Sequence, residues 1–169
     1  MLATPIDILP LTGEAFAPFG DILEIAGEPS FQINRGMCDR FHDVATLDFV
    51  GPGARSNISF ARSRPYALPL TLDMVERHPL GSQAFIPLSA EPFLVVVAAD
   101  EDGRPQQPLA FVTAPGQGVN YHRGVWHGVL TPLGQDADFV IVDRAGDGNN
   151  LEEFYFDRPY VVGPDMRSN

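Results

Sequence analysis

The sequence predicts an all-β protein, a sandwich or a barrel, with one short helix near the N-terminus. Stretches rich in β-branched and aromatic residues recur roughly every ten residues and are separated by Gly, Pro or Asp, which is typical of such folds. Helical periodicity is almost absent, and 16 prolines and 16 glycines are spread along the whole chain. A chain of 169 residues suits one domain with a buried core, so residues 1–169 are expected to form a single domain.

Local signals predict the individual elements in chain order. Thr12 is a favourable N-cap and Pro18-Phe19-Gly20 would end the helix, so a short helix is predicted over 12–19. The clearest strand is 93–99, where a continuous apolar run before Asp100 indicates burial on both faces. The other predicted strands are 21–25, 31–33, 56–61, 70–77, 83–88, 109–114, 125–131 and 138–143. The polar tail after Asp143 is predicted to cover the barrel or to reach a partner.

Composition excludes several classes of function. The formal net charge of −11 argues against binding to nucleic acid or to an anionic membrane surface. All 11 basic residues are arginine, which excludes a Schiff-base lysine and a P-loop lysine. The single cysteine, Cys38, cannot form an internal disulfide. Because the sequence has neither the apolar run of a transmembrane helix nor the features of a signal peptide, we expect a cytoplasmic protein.

Two clusters of polar residues are the candidate sites for chemistry. Gly118–His127 holds two of the four histidines, His122 and His127, and the only tryptophan, Trp126. Imidazole can bind a divalent metal or move a proton near neutral pH. On one continuous strand these histidines would point to opposite faces, but a turn or bulge at Gly124 would re-aim one of them. Trp126 is interpreted either as core packing or as a wall that keeps water out of a pocket.

The second cluster lies upstream, around Glu76-Arg77-His78-Pro79 and Gln83. Glu76 and His78 have period-two spacing, which puts both side chains on one face of a strand. Gln83 follows a turn and can return to that face, although glutamine is a weaker metal ligand than glutamate. Arginines such as Arg62 and Arg123 are either solvated surface charges or the partners of a substrate carboxylate, which a guanidinium binds through two parallel hydrogen bonds.

Together these motifs resemble the ureidoglycolate lyase family of allantoin degradation. The resemblance runs from about residue 6 to about residue 160 and is carried by Phe16-Ala17-Pro18-Phe19-Gly20, Leu68-Pro69-Leu70-Thr71, Glu76-Arg77-His78-Pro79, Gln83, Gln117-Gly118-Val119-Asn120-Tyr121-His122-Arg123, Val125-Trp126-His127, Asp138-Phe139 and Asp143-Arg144. It implies a cupin-like β-barrel, a double-stranded β-helix, that is usually a homodimer. It also implies that the substrate, (S)-ureidoglycolate, is converted to glyoxylate and urea in purine catabolism.

The resemblance further implies roles for particular residues. In a cupin barrel two strand motifs face each other, and here they would supply a metal site of Glu76, His78, Gln83 and His127. The family is associated with a divalent metal, nickel being the one named, and no organic cofactor is expected. Catalysis is expected from Glu76, His78, His122 and His127, either as metal ligands or directly as acid and base. The expected substrate-binding residues are Arg62 or Arg123 for the carboxylate, Asn57, Ser59 and Gln83 for the ureido group, and Trp126 as the pocket wall.

Two other functions are compatible with the same residues. An amidohydrolase acting on the same substrate would release ammonia in place of urea, and it would need a metal-activated water. A non-catalytic cupin would bind a small molecule without converting it. The nature of the products separates these alternatives from the lyase.

Overall fold

A computed structural model describes residues 3–163 of the chain. It contains one α-helix, α1, at Gly13–Phe16, and a 3-10 turn at Asn34–Gly36. The strands are β1 (Thr4–Ile6), β2 (Ile8–Pro10), β3 (Gly20–Leu23), β4 (Phe31–Ile33), β5 (Cys38–Arg40), β6 (Arg55–Ser63), β7 (Leu70–Arg77), β8 (Gln83–Pro87), β9 (Phe93–Ala98), β10 (Asp100–Glu101), β11 (Arg104–Pro105), β12 (Leu109–Val112), β13 (Gly118–Tyr121), β14 (Trp126–His127), β15 (Thr131–Pro132), β16 (Ala137–Ala145) and β17 (Glu152–Val162).

Two sheets form the body of the protein. The larger has the order β1-β17-β7-β14-β9-β12-β2, with β15 also paired to β9, and the smaller has the order β3-β13-β8-β16-β6. Strands β1 and β2 follow one another in the chain but pair with opposite edges of the larger sheet, so that sheet curls towards closure. The two sheets together make a barrel-like, cupin-like fold, which confirms the predicted all-β class.

The core has one part between the sheets and another behind the larger sheet. Alternate residues of β9 point to the two sides: Phe93, Val95 and Val97 join the cluster between the sheets, whereas Leu94 and Val96 join the cluster behind. This double burial is the reason that β9 reads as an uninterrupted apolar run in the sequence.

Several predicted elements differ from the observed ones. Thr12 does cap the helix, accepting a hydrogen bond from the Ala15 amide at 3.3 Å, but the helix ends at Phe16. The strand predicted over 125–131 is instead two short strands, β14 and β15, in which Gly128 packs closely against Val96. The tail after Asp143 is not a polar cover, because it forms β17, the longest strand, which pairs with β7 and β1.

The part of the chain between residues 3 and 163 has no helix long and apolar enough to cross a membrane.

Candidate active site

The two predicted clusters meet on the inner side of the larger sheet. Glu76 near the end of β7 lies directly opposite His127 of β14 in the antiparallel pairing. His78 follows β7, with its ring 5.3 Å from the His127 ring and its Nε2 3.9 Å from Glu76 Oε1. The Gly124 amide donates to the His78 carbonyl at 2.9 Å, so the turn between the histidines of the second motif is tied to the first motif. Glu76, His78 and His127 each offer a ligand atom, and these atoms lie within 4.8 Å of one another.

Backbone carbonyls fix the protonation pattern of both imidazoles. The Nδ1 of His78 lies 2.8 Å from the carbonyl oxygen of Asn150, and the Nδ1 of His127 lies 2.9 Å from that of Gly128. A carbonyl oxygen only accepts hydrogen bonds, so in the neutral ring each Nδ1 carries the hydrogen and each Nε2 keeps a lone pair. Both Nε2 atoms are buried and have no hydrogen-bond partner among the described residues. Two imidazole lone pairs are therefore available beside one carboxylate.

Burial shifts the ionisation of the groups in this cluster. Burial raises the pKa of the Glu76 carboxyl, and the nearby Glu153 raises it further, whereas a positive charge on His78 in its protonated form would lower it. Burial lowers the pKa of His127 to about 3, despite the opposing effect of its bond to the Gly128 carbonyl. His127 is thus a neutral imidazole at neutral pH, the form that binds a metal or accepts a hydrogen bond.

Tyr121 links this cluster to the smaller sheet. Its ring stacks on the His127 ring with a centroid distance of 4.2 Å and an interplanar angle of 5°. Burial, together with the charge of Glu76, raises the pKa of the Tyr121 phenol, which stays protonated at neutral pH. Tyr121 lies in the motif over residues 117–123 but was not among the predicted site residues. A tyrosine in an apolar strand is more often a residue of the hydrophobic core.

A row of polar side chains crosses the inner face of the smaller sheet. Gln83 is the cross-strand neighbour of Tyr121, and Asn57 is that of Asp143. Asp143 accepts hydrogen bonds from the side-chain amides of Gln83 at 3.3 Å and of Asn57 at 3.2 Å. Asn57 also donates to the Ser59 hydroxyl at 3.0 Å. The predicted ureido-binding residues Asn57, Ser59 and Gln83 therefore form one connected group.

Asp143 is the residue of this row that the sequence reasoning missed. The signal for it was present, since Ala137, Phe139 and Ile141 alternate with exposed or half-buried neighbours and pack in the core between the sheets. Continuing this period of two places Asp143 on the same inward face. A carboxylate on the inward face of a core strand is unusual and points to a polar interior.

Four of the predicted site residues lie elsewhere. His122 is turned away from His127 and pairs through Nε2 with Asp21 at 3.1 Å. Arg123 is bound to Asp48 at 2.8 Å, and both lie with His122 around a separate pocket. The turn at Gly124, where φ is +78°, does exist, but it leads the chain from the smaller sheet to the larger one and leaves His122 and His127 on different sides.

Trp126 and Arg62 are also outside the cluster. Trp126 faces the back of the larger sheet, packs with Val75 and Ala98, and donates to Asp100 at 2.8 Å. Arg62 lies on the outward face of β6, exposed, and forms a two-pronged ion pair with Asp138 at 2.8 and 2.9 Å.

The residues of the cluster fit a divalent transition metal. Two neutral imidazole nitrogens and one carboxylate are a common donor set for such ions, and both Nε2 lone pairs lack a protein partner among the described residues. The carbonyl that holds each Nδ1 is the kind of outer contact that orients metal-binding histidines. Gln83 Oε1 is a third buried acceptor without a protein partner among residues 3–163.

The fold and the site define a cupin-like β-barrel in which a half-buried His-His-Glu cluster faces a row of amide and carboxylate side chains. Comparison with known proteins assigns the family. The family model for ureidoglycolate lyase matches residues 3–163. The chain is 62% identical over 153 residues to a ureidoglycolate lyase of Chelativorans sp. (strain BNC1), covering 90% of this chain and 93% of that protein. It is 60% identical over 159 residues to a ureidoglycolate lyase of Mesorhizobium japonicum, covering 94% and 98%. The chain belongs to the ureidoglycolate lyase family.

Proposed function

We propose that this protein is a carbon–nitrogen lyase that eliminates urea from (S)-ureidoglycolate and leaves glyoxylate. The observation that carries the proposal is the convergence of Glu76, His78 and His127 in a barrel whose relatives are named ureidoglycolate lyase. His127 is buried and the other two are half-buried, and both histidine Nε2 atoms lack a partner among the described residues. The likeness covers almost the whole chain, so it includes both motifs that form the cluster.

The chemistry needs one proton to move from oxygen to nitrogen. The substrate carbon carries a hydroxyl, a carboxylate and a ureido group. The hydroxyl proton leaves, the C–O bond becomes a carbonyl, the C–N bond breaks, and the departing urea nitrogen gains a proton, so that no water is consumed. A positioned acid or base contributes on the order of 10²–10⁴-fold to such a step.

Glu76 suits the proton transfer best. Burial raises the pKa of its carboxyl, which makes it a better proton acceptor than a surface carboxylate and lets it return the proton to nitrogen. His78 and His127, whose ligand atoms lie within 4.8 Å of each other, accept a hydrogen bond from the substrate or hold a metal. His122 is left as a second, more distant acid or base, since it is paired with Asp21.

Glu76, His78 and His127 would hold a divalent metal. Gln83, the fourth residue of the metal site that the resemblance implies, is assigned instead to the ureido group, for which its Oε1 is the acceptor. Nickel is the metal that the family resemblance suggests. A bound divalent cation would supply positive charge to stabilise the oxygen that develops negative charge in the elimination.

The polar row of the smaller sheet is assigned to the ureido group. Gln83, Asn57 and Ser59 offer neutral hydrogen-bonding groups, which match a neutral ureido group better than charged ones would. For the substrate carboxylate, Arg123 is a better candidate than Arg62, because Arg123 adjoins the Gly124 turn that is bonded to the His78 carbonyl. Its bond to Asp48 would have to exchange for the substrate.

The decisive experiment is a product assay with racemic ureidoglycolate. The lyase forms glyoxylate and urea in equal amounts, an amidohydrolase forms ammonia, and a non-catalytic cupin binds the substrate unchanged. Glu76→Gln and His127→Ala should each lower turnover by about 10²–10⁴-fold. Glu153→Gln is the control for loss of a nearby charge, because Glu153 is the exposed cross-strand neighbour of Glu76 in β17. It removes only the smaller effect of Glu153 on the Glu76 pKa, so it should change turnover far less than Glu76→Gln. Near-normal turnover in both cluster variants would overturn the assignment.

Metal dependence has a separate test. Elemental analysis of the purified protein, before and after dialysis against a chelator, gives the identity and amount of bound metal. Loss of activity on removal and recovery with nickel would support the metal role. Unchanged activity in verified metal-free protein would leave acid–base catalysis by the side chains alone.

The homodimer is proposed to form through the outward face of the smaller sheet. Ile58 and Phe60 on β6 are 69% and 78% exposed. Val140 of β16 lies opposite both Phe60 and Ile86 of β8, so Ile86 and then Leu88 extend this apolar surface across β16. Exposed apolar side chains on neighbouring strands are typical of an interface, and a two-fold dimer needs one surface that matches itself. The cytoplasmic location expected from the sequence remains a prediction.

A further inference from the structure

Asp143 holds two amide side chains at once. Its Oδ2 accepts from Gln83 Nε2 at 3.3 Å, and its Oδ1 accepts from Asn57 Nδ2 at 3.2 Å. Asp143 and Asn57 are directly opposite each other on neighbouring strands, and Gln83 is on the strand at the other side of β16. No arginine pairs with Asp143 among the described residues, so this carboxylate is engaged by neutral amides.

This arrangement determines which way the Gln83 amide faces. A carboxylate accepts hydrogen bonds and does not donate them, so the NH2 end of the amide must be the end that faces Asp143. The carbonyl end, Oε1, then faces away from Asp143. It is buried and has no hydrogen-bond partner among residues 3–163. A buried acceptor without a partner is unfavourable unless a ligand supplies the missing donor.

The position of Gln83 relates this acceptor to the proposed active site. Gln83 is the cross-strand neighbour of Tyr121, and the Tyr121 ring stacks on the His127 ring at 4.2 Å. Side chains opposite each other on neighbouring strands lie within about 5 Å at Cβ. Gln83 therefore stands beside the His-Glu cluster, on the facing sheet.

We propose that Asp143 is a positioning residue: it locks Gln83 with Oε1 as the acceptor for an N–H donor of the substrate, the terminal NH2 of a ureido group. The identity of the donor rests on the proposed function. A ligand without an N–H donor at this place leaves Oε1 unpaired and is bound more weakly. Asp143 thus contributes to selection of a carbamoyl compound without touching it.

The single substitution Asp143→Asn tests the orientation. The amide that replaces the carboxylate can accept from only one of the two neighbouring amides, and its own NH2 must face the other. When that other partner is Gln83, the Gln83 amide turns over and presents an NH2 to the substrate NH2. We expect KM for ureidoglycolate to rise about 10- to 100-fold, the range for leaving buried polar groups unpaired, with a smaller change in kcat. Asp138→Asn is the matched control, since Asp138 is on the same strand but faces outward to Arg62.

A reciprocal double variant separates positioning from a general structural role. In Gln83→Glu alone, two carboxylates face each other and binding should weaken. In Gln83→Glu with Asp143→Asn, the new asparagine donates to the new glutamate and accepts from Asn57, so an acceptor oxygen again faces the substrate. KM should return to within a few-fold of the wild type. A double variant no better than either single variant would overturn the proposal. So would a wild-type KM in Asp143→Asn protein whose Gln83 side-chain NH2 signal shows that the amide has turned over.

The orientation of the Gln83 amide can also be measured by NMR, without any enzyme turnover. In protein labelled with 15N-glutamine, the NMR signal of the Gln83 side-chain NH2 is identified by its loss in Gln83→Glu. The hydrogens of this NH2 should exchange slowly with solvent. The position of the signal should change in Asp143→Asn but not in Asp138→Asn. If wild-type protein releases no urea while this pattern holds, the proposed function fails and the positioning role stands. If urea is released, but the Gln83 NH2 exchanges freely with solvent and its signal does not change in Asp143→Asn, the positioning role of Asp143 fails and the proposed function stands.

Discussion

The alternation of β14 makes a sharp prediction about Trp126 and His127. These neighbours point to opposite sides of the larger sheet, Trp126 towards Val75, Ala98 and Phe154 and His127 towards Tyr121. Trp126→Phe should therefore lower stability and leave catalysis unchanged, whereas His127→Ala should lower turnover by about 10²–10⁴-fold. If Trp126 instead were a wall of the pocket, Trp126→Phe would raise KM.

Three contacts set the size of the stability loss. The indole Nε1 donates to the Asp100 carboxylate at 2.8 Å, a bond worth about 1.5 kcal/mol, at the lower end for charged partners because Asp100 is partly exposed. The Arg77 guanidinium lies 4.3 Å from the ring centroid, and phenylalanine would weaken this contact by roughly 0.5 kcal/mol. The smaller ring would leave a gap at a site that is 2% exposed, costing about 1 kcal/mol. The expected total is about 3 kcal/mol.

Urea unfolding and steady-state kinetics on the same samples measure both quantities. A loss of about 3 kcal/mol corresponds to a fall in Tm of roughly 6–12 °C for a protein of this size. Phe154→Leu is the packing control, because Phe154 touches the indole at a centroid distance of 6.1 Å but makes no bond to Asp100. If Trp126→Phe left the stability unchanged and raised KM, the placement of Trp126 at the back of the larger sheet would be refuted.

Three further predictions use other parts of the molecule. Because burial lowers the pKa of His127 from 6.5 to about 3, the unfolded chain binds an extra proton between these values, and folding is penalised as pH falls below 6.5. The test is made in excess chelator and in a Glu76→Gln background, because the raised pKa of Glu76 has the opposite effect on stability. In that background, adding His127→Gln should make the free energy of unfolding fall less steeply as the pH is lowered. The difference in slope, measured by urea titrations, should be up to about 1.4 kcal/mol per pH unit. Arg62→Met should leave KM within about two-fold of the wild type, since Arg62 is bound to Asp138 on the outward face; a KM increase above about ten-fold would restore Arg62 as the carboxylate ligand. If the protein is the homodimer proposed above, Phe60→Glu should convert it to a monomer in light scattering; a dimeric mass retained in this variant would place the interface elsewhere.

The sequence predicted the fold class, and all three residues of the cluster were among the predicted site residues. The short, turn-bounded strands and the apolar run of β9 follow from local pattern, and Glu76 and His78 share a face because of their period-two spacing. The tail was missed because β17 carries charged residues such as Asp157 and Arg158, and its pairing with β7 is long-range. Spacing could not show which of His122 and His127 belongs to the cluster. The turn at Gly124 leads the chain from one sheet to the other, so only the tertiary fold determines where each ring points.

The charge balance of the interior favours a cation beside His127. Two acidic side chains, Glu76 and Asp143, line the facing walls, and ureidoglycolate would add a third negative charge. Among the described residues neither carboxylate pairs with an arginine, and His127 is held neutral by burial, which lowers its pKa. Like charges in a half-buried site repel, so binding an anionic substrate requires added positive charge, from Arg123 once its bond to Asp48 has exchanged, from a proton on Glu76 or from a divalent cation. In each neutral imidazole the hydrogen is on Nδ1, so the two Nε2 atoms carry lone pairs that can bind a cation but carry no proton to donate. A divalent metal therefore matches this pair of histidines better than a proton on Glu76 does.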